Sequence, residues 1–479
     1  MTQLYTYGAL FAGIGGMSRG FLDAGFAQSF AVDFDAGAAA AHLTICGEPC
    51  TVADLSTMQP HELRALSARR PDVLITSPPC KAFSGCLPRA TSLTDKYLEY
   101  SSLTERGIML ALEAYIDQPI PLIVLENVPN ISTRGRAWLD AAIKMLDAYG
   151  YAVRESTHDC GEIGGLAQRR RRFLLVARHR ASVPGLLYQP HKQAHRGVGE
   201  VIGGLPVPLP SSNAGGPLHR LPQLSALNAV RLALIPAGGD WRDLPEQVQV
   251  VCAPRNGSYG VGAWDTPSGC VVGAACHDNG RFSVADPRVI ARRREGSVGV
   301  VAWDGTTHAV IGKAFVQNTA LSIADPRVHY QQRAGAFHVT GWAEATHCVI
   351  GASRPDKGQA VADPRVPQIV GDTPLDLAAK RCAAIIFAAD GTWHRPLTTL
   401  ELAAIQGFDV GDAVRGWLTL PGRNAGRWRE WIGNAVPPPS AREIARQCLL
   451  TLEAAPQGGF RKITPQDKPW VAPRQEAAC

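Results

Sequence analysis

Cys80 stands directly after two prolines, in Ser77-Pro78-Pro79-Cys80, and those follow the apolar run Val73-Leu74-Ile75. Such a run reads as a short buried strand, and proline cannot donate to a ladder, so the strand must end there. A thiol on the loop at the carboxyl end of a parallel strand sits where open α/β sheets form ligand crevices, and there it can act as a nucleophile. A buried structural thiol is the plain alternative. A second apolar strand, Pro121 to Leu125, delivers Glu126 and then Asn127-Val128-Pro129. A carboxylate held at such an end suits proton exchange with a heterocycle, against the alternative of a solvated acid. A third strand, Phe173 to Ala177, is led by Gln168-Arg169-Arg170-Arg171-Arg172. Strand alternation places Gln168, Arg170 and Arg172 on one face and Arg169 and Arg171 on the other, so one set can enter a cleft.

The elements that position these groups begin at the amino terminus. Tyr5 to Phe11 reads as a strand entering Phe11-Ala12-Gly13-Ile14-Gly15-Gly16, and Met17 to Ala24 has helical character. Glycines between a strand and a helix let backbone approach a ligand closely, and the helix start supplies N–H groups. The next strand ends on Asp33-Phe34-Asp35, about twenty residues past the glycines, where a carboxylate can accept from a ribose. Thr51-Val52-Ala53-Asp54-Leu55 closes a further short strand on a carboxylate able to accept from an exocyclic amine. Helix capping is the alternative reading of each acid. Leu87 to Arg106 is polar with little periodicity, a loop able to close over substrate, and the next helix is expected over Glu105 to Ile116.

Composition bounds the rest. With 479 residues, 46% hydrophobic and 19% charged, the chain is that of a soluble globular protein with room for about three domains or one large α/β domain carrying an insertion. No window approaches a membrane span and Met1-Thr2-Gln3-Leu4 is no signal peptide, so a cytoplasmic protein with no membrane partner is expected. Twelve cysteines without a C-x-x-C pair fit neither a disulfide framework nor a four-cysteine zinc site, and His42, Cys46 and Cys50 share a helical spacing that ordinary packing explains. No metal is expected. The net charge of +6 permits a polyanionic partner without demanding one.

Residues 186–385 are richer in proline and glycine and carry a repeat. Trp264, Trp303 and Trp342 are 39 residues apart, each is followed by an apolar-glycine run, and each unit closes on Ala-Asp-Pro-Arg-Val with arginines at 288, 327 and 365. Tandem units of this length point to a small β-rich element used three times. Trp and Asp-Pro-Arg read as scaffold, a core anchor and a turn whose arginine pairs with its own aspartate, because a residue present in every copy cannot distinguish bases.

Taken together the chain resembles the cytosine-5 DNA methyltransferase family. Phe11 to Gly16 is similar to the family's cofactor loop, Pro79-Cys80 with Phe83-Ser84 to its nucleophile motif, Glu126-Asn127-Val128 to its second catalytic motif, and Gln168, Arg170 and Arg172 to its Q-x-R-x-R motif. Arg395 to Glu401 with Gln406-Gly407-Phe408 resembles the penultimate motif, and Gly433-Asn434-Ala435-Val436-Pro437-Pro438 the last. Six motifs in this order are far more specific than any one alone. The resemblance implies a Rossmann-like S-adenosylmethionine-dependent methyltransferase sheet with helices on both faces, plus an inserted smaller β-rich domain. It implies a catalytic and cofactor-binding part over 1–185, a target-recognition region over 186–385 and a return to the catalytic domain over 386–453; the Pro, Gln and Lys rich composition of 454–479 reads as a disordered tail.

By the same resemblance Cys80, Glu126, Arg172 and Arg170 are catalytic. Phe11, Gly13, Ile14, Gly15, Gly16, Asp33, Phe34, Asp54, Leu55, Asn434, Ala435 and Val436 hold S-adenosyl-L-methionine. Lys81, Ser84, Gln168, Arg292, Arg293 and Arg294 contact duplex DNA. Position 81 is Lys where the family usually has Gln, which places a charge near a phosphate or near Cys80. A monomer with a cognate restriction endonuclease encoded elsewhere is the expected setting. An RNA cytosine methyltransferase and an inactive sequence-specific DNA-binding protein are the alternatives.

Overall fold

The computed structural model describes residues 4–80, 83, 94–208, 213–223, 234, 243, 261–268, 270–271, 283–286, 288, 300–301, 322–323, 339–341, 360–362, 386–387, 393–458 and 463–471. The aliphatic runs become the strands of one sheet: β1 (Thr6–Leu10), β2 (Ala27–Asp33), β3 (Thr51–Val52), β4 (Val73–Thr76), β5 (Leu122–Asn127), β6 (Tyr151–Asp159) and β7 (Arg171–His179). Their order is β3-β2-β1-β4-β5-β7-β6. β1 pairs in parallel with β2 and β4, β2 with β3, and β4 with β5. β7 alone runs against its neighbours, β5 and β6. Every residue of β4 and β5 is buried, which explains why both read as unbroken apolar runs without alternation.

Helices cover both faces. Ile123, Leu125, Leu74, Phe173 and Leu175 point into one core with Ile108 and Ala111 of α4 (Asp95–Ala114), once α1 (Gly16–Asp23), α2 (Ala36–Cys46) and α3 (Pro60–Ala65) have been placed. Val73, Ile75, Leu122, Val124 and Leu174 enter a second core with Met17 and Phe21 of α1 and Ile444, Ala445 and Cys448 of the helix Pro438–Ala454. Gly20 faces Ala441 and the Pro438 carbonyl so closely that a Cβ would collide with both. The two ends of the chain thereby form one helical layer. α4 begins ten residues before the expected Glu105, because Ser101, Thr104, Ile108 and Ala111 form its buried stripe and two of those are hydroxyl residues that hydropathy does not reveal.

The chain divides into two compact units. The first comprises Met1–Pro222, Gly262–Cys276 and Pro396–Cys479, and the second Gln223–Val261 and His277–Arg395. The first therefore includes all of 186–222 and a piece of the first repeat, stretches that the sequence assigns to the inserted region. Within the second, strands 300–301 and 322–323 pair in parallel, as do 339–341 and 360–362, so two successive repeats carry the same strand pair. Asp286 receives the backbone N–H, Nε and Nη2 of Arg288 at 3.0, 3.1 and 3.1 Å, the turn expected of Asp-Pro-Arg. Arg395, fully buried, adds Nε and Nη2 to the same carboxylate.

The tail corrects the sequence reading. Instead of disorder throughout 454–479, Pro469–Val471 forms a strand antiparallel to Leu187–Tyr188, with Trp470 buried and its Nε1 donating to Ser156 Oγ at 2.8 Å. A single tryptophan anchors a segment whose average composition is polar.

Candidate active site

β1, β2, β4 and β5 are parallel, so their carboxyl ends share one edge of the sheet, with β1 at the point where strand order reverses. β7 is antiparallel, so its amino end lies at that same edge. Asn127 faces Phe173 and Glu126 faces Leu174 in the β5–β7 register, which brings Arg172 beside the end of β5. Five separate stretches of chain meet there.

Glu126 is 4% exposed. Its Oε2 accepts from Ser77 Oγ at 2.7 Å, and Arg172 Nε lies 3.1 Å from Oε1 as an ion pair. Asn127 Nδ2 donates to the Pro78 carbonyl at 3.2 Å, tying the loop after β4 to the end of β5. Beyond it Phe83 N donates to the Cys80 carbonyl at 3.0 Å, and the buried Phe83 ring packs on Gly135, where a Cβ would crowd it. The nucleophile candidate thus has an anchored residue on either side of it. Burial pushes the Cys80 thiol above its ordinary value, and Glu126 adds to this, while Arg172 and Arg170 oppose it.

Alternation along the basic run is as expected: Gln168 and Arg170 are buried, Arg172 is mostly buried, and Arg169 and Arg171 are exposed. Two of these residues are tied into the interior. Gln168 Nε2 donates to the Ile405 carbonyl and to Gln406 Oε1 and its Oε1 accepts from Val271 N, with no exposed surface left. Arg170 is a brace: its Nη1 donates to the Val271 carbonyl at 2.7 Å and its Nη2 to the carbonyls of Gly433 and Ala435 at 3.1 and 3.0 Å. Both residues face inward from the strand, and the groups that meet them are backbone carbonyls needing donors. Gln406 joins them through its own donations to Ile432 and Ala435. The last motif is therefore fixed to the basic strand by side chains that hydropathy leaves invisible.

The glycine loop is built for a close approach. Phe11 has φ 53°, Gly13 φ 55° and Gly15 φ 85°, with nothing within 4 Å of a Cβ at Gly13, while one at Gly16 would strike the Val436 carbonyl. Ile14 is buried beneath the turn. Asp33 Oδ2 accepts from Gly13 N at 2.7 Å and Oδ1 from Asp35 N at 2.8 Å. Burial raises Asp33, and those N–H groups pull it back. Phe34 next to it is 76% exposed, an aromatic face open for stacking, and Asp54 is exposed over a buried Leu55, with one carboxylate oxygen on Ser56 N. Asn434 is exposed and Val436 buried against Gly16. Asp35 caps α2 and accepts from Trp431 Nε1 at 2.9 Å, linking this rim to the helix Ala425–Asn434. Lys81, Ser84, Arg292, Arg293 and Arg294 lie outside the described residues. His42 and Cys46 pack against Gly15.

Two residues of the edge carry no signal of their own in the sequence: Ser77, at a strand end, and Cys270, inside a repeat. Cys270 Sγ stands 3.3 Å from Arg170 Nη1 and 3.7 Å from Arg172 Nη2.

A seven-stranded, mostly parallel sheet with one reversed strand, helices on both faces, and a glycine loop and thiol at one edge define a methyltransferase of the Rossmann-like α/β class. The fold is similar to that of the Entamoeba histolytica methyltransferase EhMeth, with TM-score 0.52, 13% identity and coverage of 94% of this chain and 98% of that one. Residues 5–200 match the model of the C-5 cytosine-specific DNA methylase family. The chain is 26% identical over 284 residues to the Type II methylase M.HgiDII of Herpetosiphon aurantiacus, covering 57% of this chain and 77% of that protein. It is 26% identical over 274 residues to the Type II methyltransferase M1.HphI of Haemophilus parahaemolyticus, covering 56% and 70%. Over its amino-terminal part the chain is related to the C-5 cytosine-specific DNA methylases. Among the described residues, no helix is long and apolar enough to cross a membrane.

Proposed function

We propose that this enzyme transfers a methyl group from S-adenosyl-L-methionine to carbon 5 of a cytosine turned out of duplex DNA, through a covalent bond to Cys80. The convergence of Cys80, Glu126 and Arg172 at one sheet edge carries the reading. Carbon 5 of cytosine is a weak nucleophile. Addition of the Cys80 thiolate to carbon 6 makes the ring enamine-like, with Glu126 at nitrogen 3 and the exocyclic amine and Arg172 at the carbonyl oxygen, where charge develops. Loss of the proton from carbon 5 and expulsion of Cys80 then restore the aromatic ring. Removing the base from its stack costs a few kcal/mol, which a fitted pocket must offset.

The donor supplies an electrophilic methyl on a sulfonium. The residues fit it: open space at Gly13, a carboxylate at Asp33 oriented by two backbone N–H groups, and the exposed ring of Phe34. Ser77 and Arg172 orient Glu126 toward the substrate side, and Asn127 steadies the loop that carries Cys80. The relatives' names add a setting: a Type II modification enzyme that protects DNA from a partner endonuclease, with the repeats of 186–385 reading the target and Arg292, Arg293 and Arg294 meeting DNA.

Incubation with labelled S-adenosylmethionine and either DNA or RNA, with Cys80→Ala as control, tests the reading. Label in DNA that vanishes in Cys80→Ala is the expected result. Label in RNA alone, or transfer that survives the substitution, would overturn it.

A further inference from the structure

The residues Ser268 to Val271 of the first repeat run alongside the Q-x-R-x-R strand. Ser268 N donates to the Ala167 carbonyl at 2.6 Å, Arg169 N to the Ser268 carbonyl at 3.0 Å, and Val271 N to Gln168 Oε1 at 3.1 Å. Upstream, Val198 N donates to the Thr266 carbonyl at 2.8 Å, and Trp264 covers Gly199, where a Cβ would meet the indole. The segment is clamped along its length. Its effect is to bring the Cys270 sulfur to the two guanidiniums, and the neutral backbone around them leaves Glu126 and Cys160 as the other titratable groups acting on Arg172 along with Cys80.

We propose that Cys270 is a positioning residue for methyl transfer: its sulfur accepts from both Arg170 and Arg172, holds Arg172 at Glu126, and makes part of the first repeat a wall of the catalytic centre. The inference rests on the cytosine methyltransferase reading above. Arg172 has Nη1 on the Arg171 carbonyl at 2.8 Å, Nε at Glu126 and Nη2 at Cys270, so the sulfur fixes the end of the guanidinium that the other two contacts leave to rotate. Burial pushes the Cys270 thiol up, and Arg170 and Arg172 outweigh it, leaving the thiol below its ordinary value. Cys80, in contrast, stays above it. The more acidic thiol of the centre is then the one that orients an arginine, and the less acidic one is the nucleophile.

Packing of a repeat does not require the sulfur. The positions 39 and 78 residues on are Ala309 and Cys348, so one copy carries alanine where the first carries Cys270. The test uses the full chain, unmethylated genomic DNA and labelled S-adenosylmethionine, with enzyme in excess. Cys270→Val keeps the volume and drops the acceptor, and Cys270→Ser keeps an acceptor. Cys270→Val is expected to slow single turnover at least tenfold at unchanged KM for the donor, and Cys270→Ser to recover to within threefold of the parent. In an Arg172→Lys background, Cys270→Val is expected to add less than twofold, since both changes act through one guanidinium. Thermal melting of each variant is read alongside, and Cys270→Ala replaces Cys270→Val if the latter melts early. A Cys270→Val rate within twofold of the parent, a Cys270→Ser rate as low as Cys270→Val, or independent effects in the Arg172→Lys background would each overturn the proposal. Absence of label transfer by the parent, or its persistence in Cys80→Ala, would instead remove the methyltransferase reading, and the inference with it.

Discussion

Ser77 Oγ lies 2.7 Å from Glu126 Oε2, a bond between the first residue past one parallel strand and the penultimate residue of the next. It fixes one carboxylate oxygen while Arg172 engages the other, so the rotamer of Glu126 is set before any substrate arrives. A hydrogen bond to a charged group contributes roughly 1.5–3 kcal/mol, and about 1.4 kcal/mol is tenfold in rate. Ser77→Ala is therefore expected to slow single-turnover methyl transfer by about tenfold or more, with a fall in melting temperature of no more than a few degrees. Unchanged turnover would show that Arg172 alone orients the carboxylate.

Cys80 carries a reactivity prediction. Burial holds its thiol above the ordinary value, so the neutral form prevails near pH 7 and the thiolate appears as pH rises through the raised value. Alkylation of Cys80 by iodoacetamide, followed by peptide mass mapping, should be slow at neutral pH and climb beyond the range of a free thiol. Arg172→Met removes an opposing charge and should move that profile further upward. A midpoint below that of a free thiol would contradict the balance of charges described.

His158 faces Arg172 across the β6–β7 register, packs edge-on against Trp470 and is held down to about 4, first by burial and then by Lys192. A histidine lowered in the folded state binds its proton more readily when unfolded. Its contribution is whole above the unfolded value of 6.5 and is lost as pH falls from there toward about 4. At about 1.4 kcal/mol per pH unit, the loss amounts to roughly 3.5 kcal/mol at most. Denaturant midpoints across that window should fall in the parent and flatten in His158→Gln; parallel curves would argue against it.

Trp470 anchors the carboxyl-terminal strand in the second core and hydrogen-bonds Ser156. Truncating a buried aromatic to alanine typically costs about 3–5 kcal/mol. Trp470→Ala is expected to lower stability by that order and to expose the Leu187–Tyr188 strand to hydrogen exchange. Exchange unchanged at those residues would show that the strand holds without its anchor.

Much of this architecture was legible in the chain. Val73-Leu74-Ile75 and Leu122 to Leu125 have the unbroken apolar character of strands covered on both faces, and prolines after each mark where the ladder must stop. The alternation of Gln168 to Arg172 followed from strand geometry alone. The first turns of α4 are not legible because Ser101 and Thr104 occupy its buried stripe, and the order in the tail is not legible because one tryptophan carries its attachment.

The sequence by itself determined the residue types and their local settings: a cysteine after a strand-ending proline pair, a glutamate ending an apolar strand, arginines leading another, and glycines before a helix. Only the tertiary structure decided which of them meet. The reversal of β7 sets the start of one strand against the end of β5, so Arg172 reaches Glu126, which no local pattern encodes. Gln168 and Arg170 turn inward to donate to the carbonyls of Ile405, Val271, Gly433 and Ala435, more than a hundred residues away along the chain. Hydrogen-bond satisfaction in a dry interior is a property of the folded neighbourhood, and that is why the role of a motif residue had to wait for it.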